Sequence, residues 1–264
     1  MDIEFKNGTI HYSEKGEGQT LILLHGFTES LEIWNDFAAF FSKYFRVVCI
    51  DLPGHGKSSV IADVHTMELM AEAVKEVLKA LKIDTCVMIG HSMGGYVTLA
   101  FAEKYPEMLK GFGLFHSSAA ADTDEARKNR ERAIEIIKQN HHNYLASFIP
   151  DLFAEENRKV FEQEIEYLVK TAKNMTTEGV VAAQEGMKQR TDKYHILKNA
   201  EVPVLFIAGQ KDSRIPFVKV MEQVALPKEA YLQSLRDAAH MGYLEARYET
   251  LHAVFSFTKR AFLI

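Results

Sequence analysis

The segment Gly90-His91-Ser92-Met93-Gly94-Gly95 combines a potential nucleophile with the small residues that a sharp turn requires. It follows the apolar run 85–89 and precedes a helical pattern that begins at Tyr96. On such a strand-to-helix turn a serine holds its hydroxyl out of the sheet on a strained backbone, and small residues two positions away relieve the crowding. The pattern therefore predicts that Ser92 is a catalytic nucleophile.

A serine hydroxyl is a weak nucleophile, so it needs a base to take its proton and a third group to orient that base. His240 and Asp212 each follow a strand-like run, as Ser92 does, and we expect them to be the base and the orienting acid. Taken alone, Asp212 would be interpreted as a turn former. His116 also lies just beyond a predicted strand, and two roles stay open for it: a substrate contact or a structural histidine.

Acyl transfer also requires hydrogen-bond donors directed at the carbonyl oxygen that becomes negatively charged. The backbone N–H of Met93, directly after the nucleophile, is one expected donor. The backbone N–H of Phe27, in the loop after the apolar run 20–24, is the other. Because both donors are backbone groups, the two side chains remain available to shape a pocket.

Strand-like runs alternate with amphipathic helical runs along most of the chain. After an N-terminal hairpin that turns near Asn7-Gly8, strands are predicted near 20–24, 46–50, 85–89, 111–115, 202–208 and 230–235. This alternation predicts the α/β class, with a mostly parallel central sheet and helices on both faces. Ligands bind outside the carboxyl ends of the strands in such sheets, and the candidate residues follow predicted strand ends.

Residues 120–198, which we call the helical insertion, interrupt the alternation with charged helical sequence. We expect them to fold as a helical cap over the site, between a first core part (1–119) and a second (199–264). Phe148 and Met187 are its predicted substrate contacts; surface helices without a role in the pocket are the alternative. Arg190 and Arg214 are candidates for binding a substrate carboxylate, and ordinary salt bridges are the competing interpretation.

Composition excludes several classes of protein. The 264 residues carry a formal net charge of −5, which argues against nucleic-acid binding. Cys49 and Cys86 lack metal-ligand spacing, so we expect buried thiols and neither metal nor cofactor. No apolar run approaches the roughly 18 residues of a membrane span, and the first residues lack a secretory signal pattern. We therefore expect a cytoplasmic monomer or homodimer that acts on a small molecule.

The chain resembles the α/β-hydrolase superfamily along its whole length, in the branch of small capped serine hydrolases. The motifs are His25-Gly26 with Trp34 eight residues after the glycine, the segment Asp51-Leu52-Pro53-Gly54-His55-Gly56, the turn around Ser92, and finally Asp212 and His240. The order serine, aspartate, histidine is the superfamily's triad order. Epoxide hydrolases and haloalkane dehalogenases carry aspartate where this chain has Ser92, so the resemblance excludes them.

The expected reaction is hydrolysis of a small carboxylic ester, lactone or thioester through an acyl-enzyme on Ser92. Three alternatives stay open because many chemistries share this fold. They are hydrolysis of a carbon–carbon bond in a diketone-like compound, a lyase that uses His240 as its base without an acyl-enzyme, and a ligand receptor with little turnover.

Overall fold

The computed structural model of the protein describes residues 1–263. Over that range eight strands form one sheet in the order β1-β2-β4-β3-β5-β6-β7-β8. The strands are β1 (Asp2–Phe5), β2 (Gly8–Lys15), β3 (Thr20–Leu24), β4 (Arg46–Ile50), β5 (Cys86–His91), β6 (Leu109–Phe115), β7 (Val204–Gly209) and β8 (Ala230–Leu235). The pairs β1–β2 and β2–β4 are antiparallel, and all later pairs are parallel. The predicted α/β class with a mostly parallel sheet is confirmed.

Helices connect the parallel strands. They are α1 (Asn35–Phe41), α2 (Met67–Ala80), α3 (Met93–Lys104), α4 (Asp124–Phe148), α5 (Glu162–Lys173), α6 (Thr177–Gln189), α7 (Tyr194–Lys198), α8 (Phe217–Val224), α9 (Gly242–Glu245) and α10 (Arg247–Ala261). None of the helices found in residues 1–263 has both the length and the apolar character needed to cross a membrane.

The central strands are buried on both faces, which explains their continuous apolar sequence. Every residue of β3 is buried, and its side chains alternate between two cores. Ile22 and Leu24 belong to one apolar cluster, whereas Leu21 and Leu23 belong to a second cluster. Because successive strand residues point to opposite faces, these two clusters are the helix–sheet interfaces on the two sides.

The register of the parallel strands brings their carboxyl ends to one edge of the sheet. Leu24 at the end of β3 pairs with Gly90 of β5. His91 at the end of β5 pairs with Phe115 of β6, and Gly209 of β7 pairs with Leu235 of β8. The loops that follow these strands therefore emerge together.

The helical insertion contains α4 to α7, between β6 and β7. Helix α4 is interrupted at Asn140, whose φ of −160° and ψ of 82° are not helical. Helix α4 packs against both α5 and α6, so the insertion has contacts of its own. The division of the chain at residues 119 and 198 into core and cap domains stays a prediction.

Candidate active site

Ser92 lies on a sharp turn between β5 and α3. Its φ of 49° and ψ of −112° are a combination that residues with a side chain seldom adopt. A Cβ atom at Gly94 would lie 2.6 Å from the carbonyl oxygens of both Leu24 and His25, and one at Gly90 would collide with the backbone of Gly94. Glycine at these two positions therefore lets the turn close tightly against the neighbouring strand.

Ser92, His240 and Asp212 form a continuous hydrogen-bonded chain. The Nε2 atom of His240 lies 2.8 Å from Ser92 Oγ, and its Nδ1 atom lies 2.8 Å from Asp212 Oδ2. Since an ionised carboxylate only accepts, the proton of a neutral His240 belongs on Nδ1, which leaves Nε2 as an acceptor for the serine hydroxyl. This arrangement is the one in which His240 can act as a base toward Ser92.

Asp212 is held both in position and in its charged form. Its Oδ1 atom accepts hydrogen bonds from the backbone amides of Arg214 and Ile215 at 2.8 and 2.9 Å. Burial alone would raise the pKa of the Asp212 carboxyl, but His240 and His116 beside it hold that pKa well below its usual range. Asp212 is therefore a carboxylate at any pH near neutrality.

His116 lies beside Asp212 and is not among the residues that line the cavity beside Ser92. Its side chain is fully buried, and its Nδ1 atom lies 3.2 Å from Asp212 Oδ2. Burial lowers the pKa of His116 to about 4, so the ring is neutral. Its Nε2 atom lies against Gly242 and has no hydrogen-bond partner among the described residues. Of the two roles left open, the structural one fits this location.

One ligand atom from each of His116, Asp212 and His240 lies within 4.8 Å of the others, a spacing that a metal ion could also use. The Nδ1 atoms of His240 and His116 lie 2.8 and 3.2 Å from the same carboxylate oxygen, Asp212 Oδ2, and the Gly209 amide lies 3.3 Å from His116 Nδ1. We therefore interpret the cluster as an orienting acid with two imidazole partners.

The two amides expected to bind an oxyanion lie on either side of the nucleophile. The N–H of Met93 is at the first position of α3, where the helix dipole favours negative charge. The loop carrying Phe27 approaches so closely that a Cβ atom at Gly26 would lie 3.2 Å from Ser92 Cβ. In residues 1–263, neither the Phe27 nor the Met93 amide donates a hydrogen bond to another protein group. Their binding of an oxyanion stays a prediction.

A buried carboxylate that the sequence analysis did not single out links this loop to the triad. Glu29 Oε2 accepts hydrogen bonds from the Gly26 amide at 2.6 Å and from His91 Nδ1 at 2.8 Å, and its Oε1 accepts one from the Tyr243 hydroxyl at 2.9 Å. The Nε2 atom of His91 in turn lies 3.0 Å from the carbonyl oxygen of His240. One carboxylate thus fixes both the loop that presents Phe27 and the ring that supports the His240 backbone.

Both ring nitrogens of His91 face hydrogen-bond acceptors, Glu29 Oε2 and the carbonyl oxygen of His240, which favours a charged ring beside the Glu29 carboxylate. Burial alone would lower the pKa of His91, but the Glu29 carboxylate raises it above its ordinary value. Burial would likewise raise the pKa of Glu29, and the interaction with His91 lowers it. Since breaking a buried ion pair leaves an uncompensated charge, the pair is sensitive to removal of either partner.

We expect Glu29→Gln to lower the free energy of unfolding by about 3 kcal/mol near pH 6. The contribution of Glu29 exists above the ordinary glutamate pKa of about 4.3, and that of His91 exists below the ordinary histidine pKa of about 6.5. As the pH rises through the elevated pKa of His91, the attraction is lost, so the difference between the wild type and the variant should shrink. Urea unfolding from pH 5 to 9 measures it, with the exposed Glu17→Gln as control. A difference that does not change with pH would contradict the charged pair.

A cavity of about 380 Å³ lies between the core and the helical insertion. Ser92 and His240 lie on its core side together with Phe27. Phe148 and Met187 line it from the helical insertion, and their contact with substrate stays a prediction. The Phe148 ring packs edge to face on Phe27 at 5.8 Å, so the insertion contacts the loop that carries an oxyanion donor.

The two arginines considered from sequence have different surroundings. Both line the cavity. The Arg190 guanidinium lies 2.7 Å from Asp122 Oδ1 and stacks over the Tyr96 ring at 4.1 Å. The Arg214 guanidinium lies over the Phe148 ring at 4.9 Å. Arg190 therefore forms a salt bridge within the protein, which was the alternative to binding a substrate carboxylate.

Comparison with known proteins agrees with this architecture. The alpha/beta hydrolase fold family profile matches residues 19–131. The chain is 30% identical to a thermophilic esterase from Thermogutta terrifontis, whose structure contains bound malate. That match covers 96% of this chain and 94% of the esterase, with a TM-score of 0.92.

Two curated relatives carry the names of other hydrolases. A 2-hydroxy-6-oxononadienedioate/2-hydroxy-6-oxononatrienedioate hydrolase from Paraburkholderia phymatum is 29% identical over 226 residues, 78% of this chain and 76% of the relative. An (E)-2-((N-methylformamido)methylene)succinate hydrolase from Acinetobacter baylyi is 31% identical over 135 residues, and the match spans about half of each chain. The fold, the family profile and the esterase of near-equal length together show that the chain belongs to the α/β-hydrolase superfamily of enzymes.

Proposed function

We propose that the protein is a serine hydrolase that cleaves a small carboxylic ester, or a related lactone or thioester, through an acyl-enzyme on Ser92. The observation that carries the proposal is the 2.8 Å contact between Ser92 Oγ and His240 Nε2 at the wall of an open cavity. Nucleophile, base, orienting acid and two unoccupied amides are the groups that acyl transfer requires. The similarity to an esterase over 94% of its length supports the same reaction.

In the first half-reaction His240 Nε2 takes the hydroxyl proton as Ser92 Oγ attacks the carbonyl carbon of the ester. The carbonyl oxygen becomes an oxyanion and accepts hydrogen bonds from the amides of Phe27 and Met93. Asp212 stabilises the imidazolium through Nδ1. His240 then gives the proton to the leaving alkoxide, the ester C–O bond breaks, and the acyl group remains on Ser92.

In the second half-reaction a water molecule replaces the alcohol. His240 takes a proton from this water as its oxygen attacks the acyl carbon, and the same two amides bind the new oxyanion. Collapse breaks the bond to Ser92 Oγ, which regains its proton from His240. The products are a carboxylic acid and free enzyme, and no group outside the chain is consumed except water.

A series of p-nitrophenyl esters from acetate to laurate tests the proposal. Because the cavity holds about 380 Å³, near the lower end for small-molecule sites, we expect kcat/KM to be highest for short acyl chains and to fall for long ones. A fluorophosphonate should label Ser92, as detected by peptide mass spectrometry. Absence of both turnover and labelling would contradict an acyl-enzyme mechanism.

Hydrolysis of a carbon–carbon bond is the second candidate, because one relative is named as a 2-hydroxy-6-oxononadienedioate hydrolase. Such a substrate is a conjugated dienol, so its consumption is followed by loss of absorbance. Turnover of this compound with none of the esters would favour the second candidate. If neither the dienol nor any of the esters is turned over, the lyase or the receptor alternative would be favoured.

A further inference from the structure

The catalytic cavity is basic although the chain is acidic. The protein has a formal net charge of −5. The charged side chains that line the cavity are nevertheless three arginines, Arg130, Arg190 and Arg214, and one carboxylate, Asp122. Charges of one sign that line a concave site favour ligands of the opposite sign.

Two of the three arginines are engaged by the single carboxylate. Arg190 contacts Asp122 Oδ1 at 2.7 Å, and Arg130 Nε contacts Asp122 Oδ2 at 2.5 Å. Arg130 also donates to Gln184 Oε1 at 2.9 Å. The Asp122 side chain is only 5% exposed, so this is a buried structural link between the start of the helical insertion and α6. One positive charge of the pair stays uncompensated.

Arg214 differs from both. Its backbone amide is fixed to the triad through Asp212 Oδ1, which directs the side chain from the edge of the sheet into the cavity. No carboxylate in the described part of the chain, residues 1–263, lies within 4.0 Å of its guanidinium. The group rests on the face of Phe148, a contact that orients it and leaves its N–H edge accessible.

Resting on the function proposed above, we propose that the substrate carries a carboxylate remote from the scissile bond and that Arg214 binds it. The planar guanidinium offers two parallel N–H donors at the spacing of the two oxygens of a carboxylate. The uncompensated charge of the Arg130–Arg190–Asp122 cluster adds a favourable potential in the same cavity. The natural substrate class is therefore a monoester of a dicarboxylic acid, a lactone that carries a second, free carboxylate, or an ester formed at the hydroxyl of a hydroxy acid.

Matched pairs of esters test this subsite. Mono-p-nitrophenyl glutarate, which has a free carboxylate on the acyl side, is compared with its methyl ester, which has none. For the alcohol side, 3-acetoxybenzoate, which has a free carboxylate, is compared with methyl 3-acetoxybenzoate, which has none. We expect kcat/KM to favour the carboxylate about tenfold in at least one pair, mainly through KM, as one charge-assisted interaction would give. In Arg214→Gln the ratio of kcat/KM between the charged and the neutral member of that pair should fall to about one.

Two variants separate the role of this side chain from a general effect of charge. Arg214→Lys keeps the charge without the fork and should retain only part of the preference. Arg260→Gln removes an equal charge on α10, where the side chain is 64% exposed and outside the cavity, and should change nothing. A neutral preference in both pairs, or a carboxylate preference that survives Arg214→Gln, would overturn the subsite.

A binding measurement makes the test independent of turnover. Monomethyl glutarate, a substrate-like monoanion with an intact ester, is titrated calorimetrically into Ser92→Ala with and without Arg214→Gln. We expect its Kd to rise about tenfold on loss of the guanidinium and to rise with ionic strength as the charges are screened. Unchanged Kd would overturn the subsite even if the esters are hydrolysed. Absence of turnover with an intact Arg214-dependent Kd would instead contradict the esterase reaction alone.

Discussion

Ser92→Ala is expected to lower kcat/KM for short p-nitrophenyl esters by roughly 10⁵-fold, as removal of a triad nucleophile does in other serine hydrolases. The change deletes the one atom that can form the acyl bond and leaves His240 with no hydroxyl to deprotonate. The strained φ of 49° remains, because alanine has the same Cβ restriction as serine. Thermal unfolding should therefore change little while turnover is lost, and initial rates with thermal melts measure both.

Ser147→Ala on the exposed face of α4 is the matched control for this substitution and should keep full activity. Fluorophosphonate labelling provides a second readout, because wild type should gain one adduct on the peptide that contains Ser92 and Ser92→Ala should gain none there. More than a hundredth of wild-type turnover in Ser92→Ala would rule out the acyl-enzyme. Direct attack on the ester by a water molecule that His240 deprotonates would then be the better explanation.

The sequence predicts which residues form the candidate active site because short apolar runs indicate where each strand ends. In a parallel sheet all such ends meet at one edge, so residues far apart in sequence can be expected together. Ser92 and His240 are 148 residues apart, yet both follow apolar runs, and the structure brings them within hydrogen-bond distance. Their catalytic roles remain predictions until the variants are measured.

A strand end does not predict the direction of the next side chain, and His116 illustrates this. It follows β6 directly, but its φ of 48° is in the left-handed region, and its ring lies behind Asp212 rather than in the cavity. Only the tertiary structure determines that choice. Element boundaries show the same limit. The amphipathic pattern of residues 31–41 predicts one helix, whereas the structure has a 3₁₀ turn at Leu31–Trp34 followed by α1.

Glu29 is the residue that sequence reasoning had least chance of finding. Its partners are Gly26 in the same loop, His91 on β5 and Tyr243, which is 214 residues away. A single glutamate after a turn is normally exposed. The one available signal was its place between His25-Gly26 and Trp34, in a segment that otherwise becomes apolar. Burial of a carboxylate requires several donors at once, and their convergence is a property of the fold.

Asp212→Asn is expected to lower kcat by about 10³- to 10⁴-fold, the loss seen when a triad aspartate becomes an amide. The surroundings of Asp212 explain why the isosteric change is so damaging here. The amides of Arg214 and Ile215 both donate to Oδ1, so an asparagine must place its carbonyl oxygen there. Its NH₂ group then occupies the Oδ2 position and donates to His240 Nδ1. That forces the histidine proton onto Nε2, which faces Ser92 as a donor and cannot act as the base.

Single-turnover kinetics with p-nitrophenyl acetate measure this loss, and KM should change little because Asp212 does not line the cavity. Asp237→Asn makes the same change at a side chain that is 78% exposed, and it should retain normal activity. Since the pKa of Asp212 is held well below its usual range, the acid limb of the wild-type pH profile should not report this carboxyl. A loss below tenfold in Asp212→Asn would mean that His240 keeps its tautomer without the carboxylate, and the orienting role assigned to Asp212 would then fail.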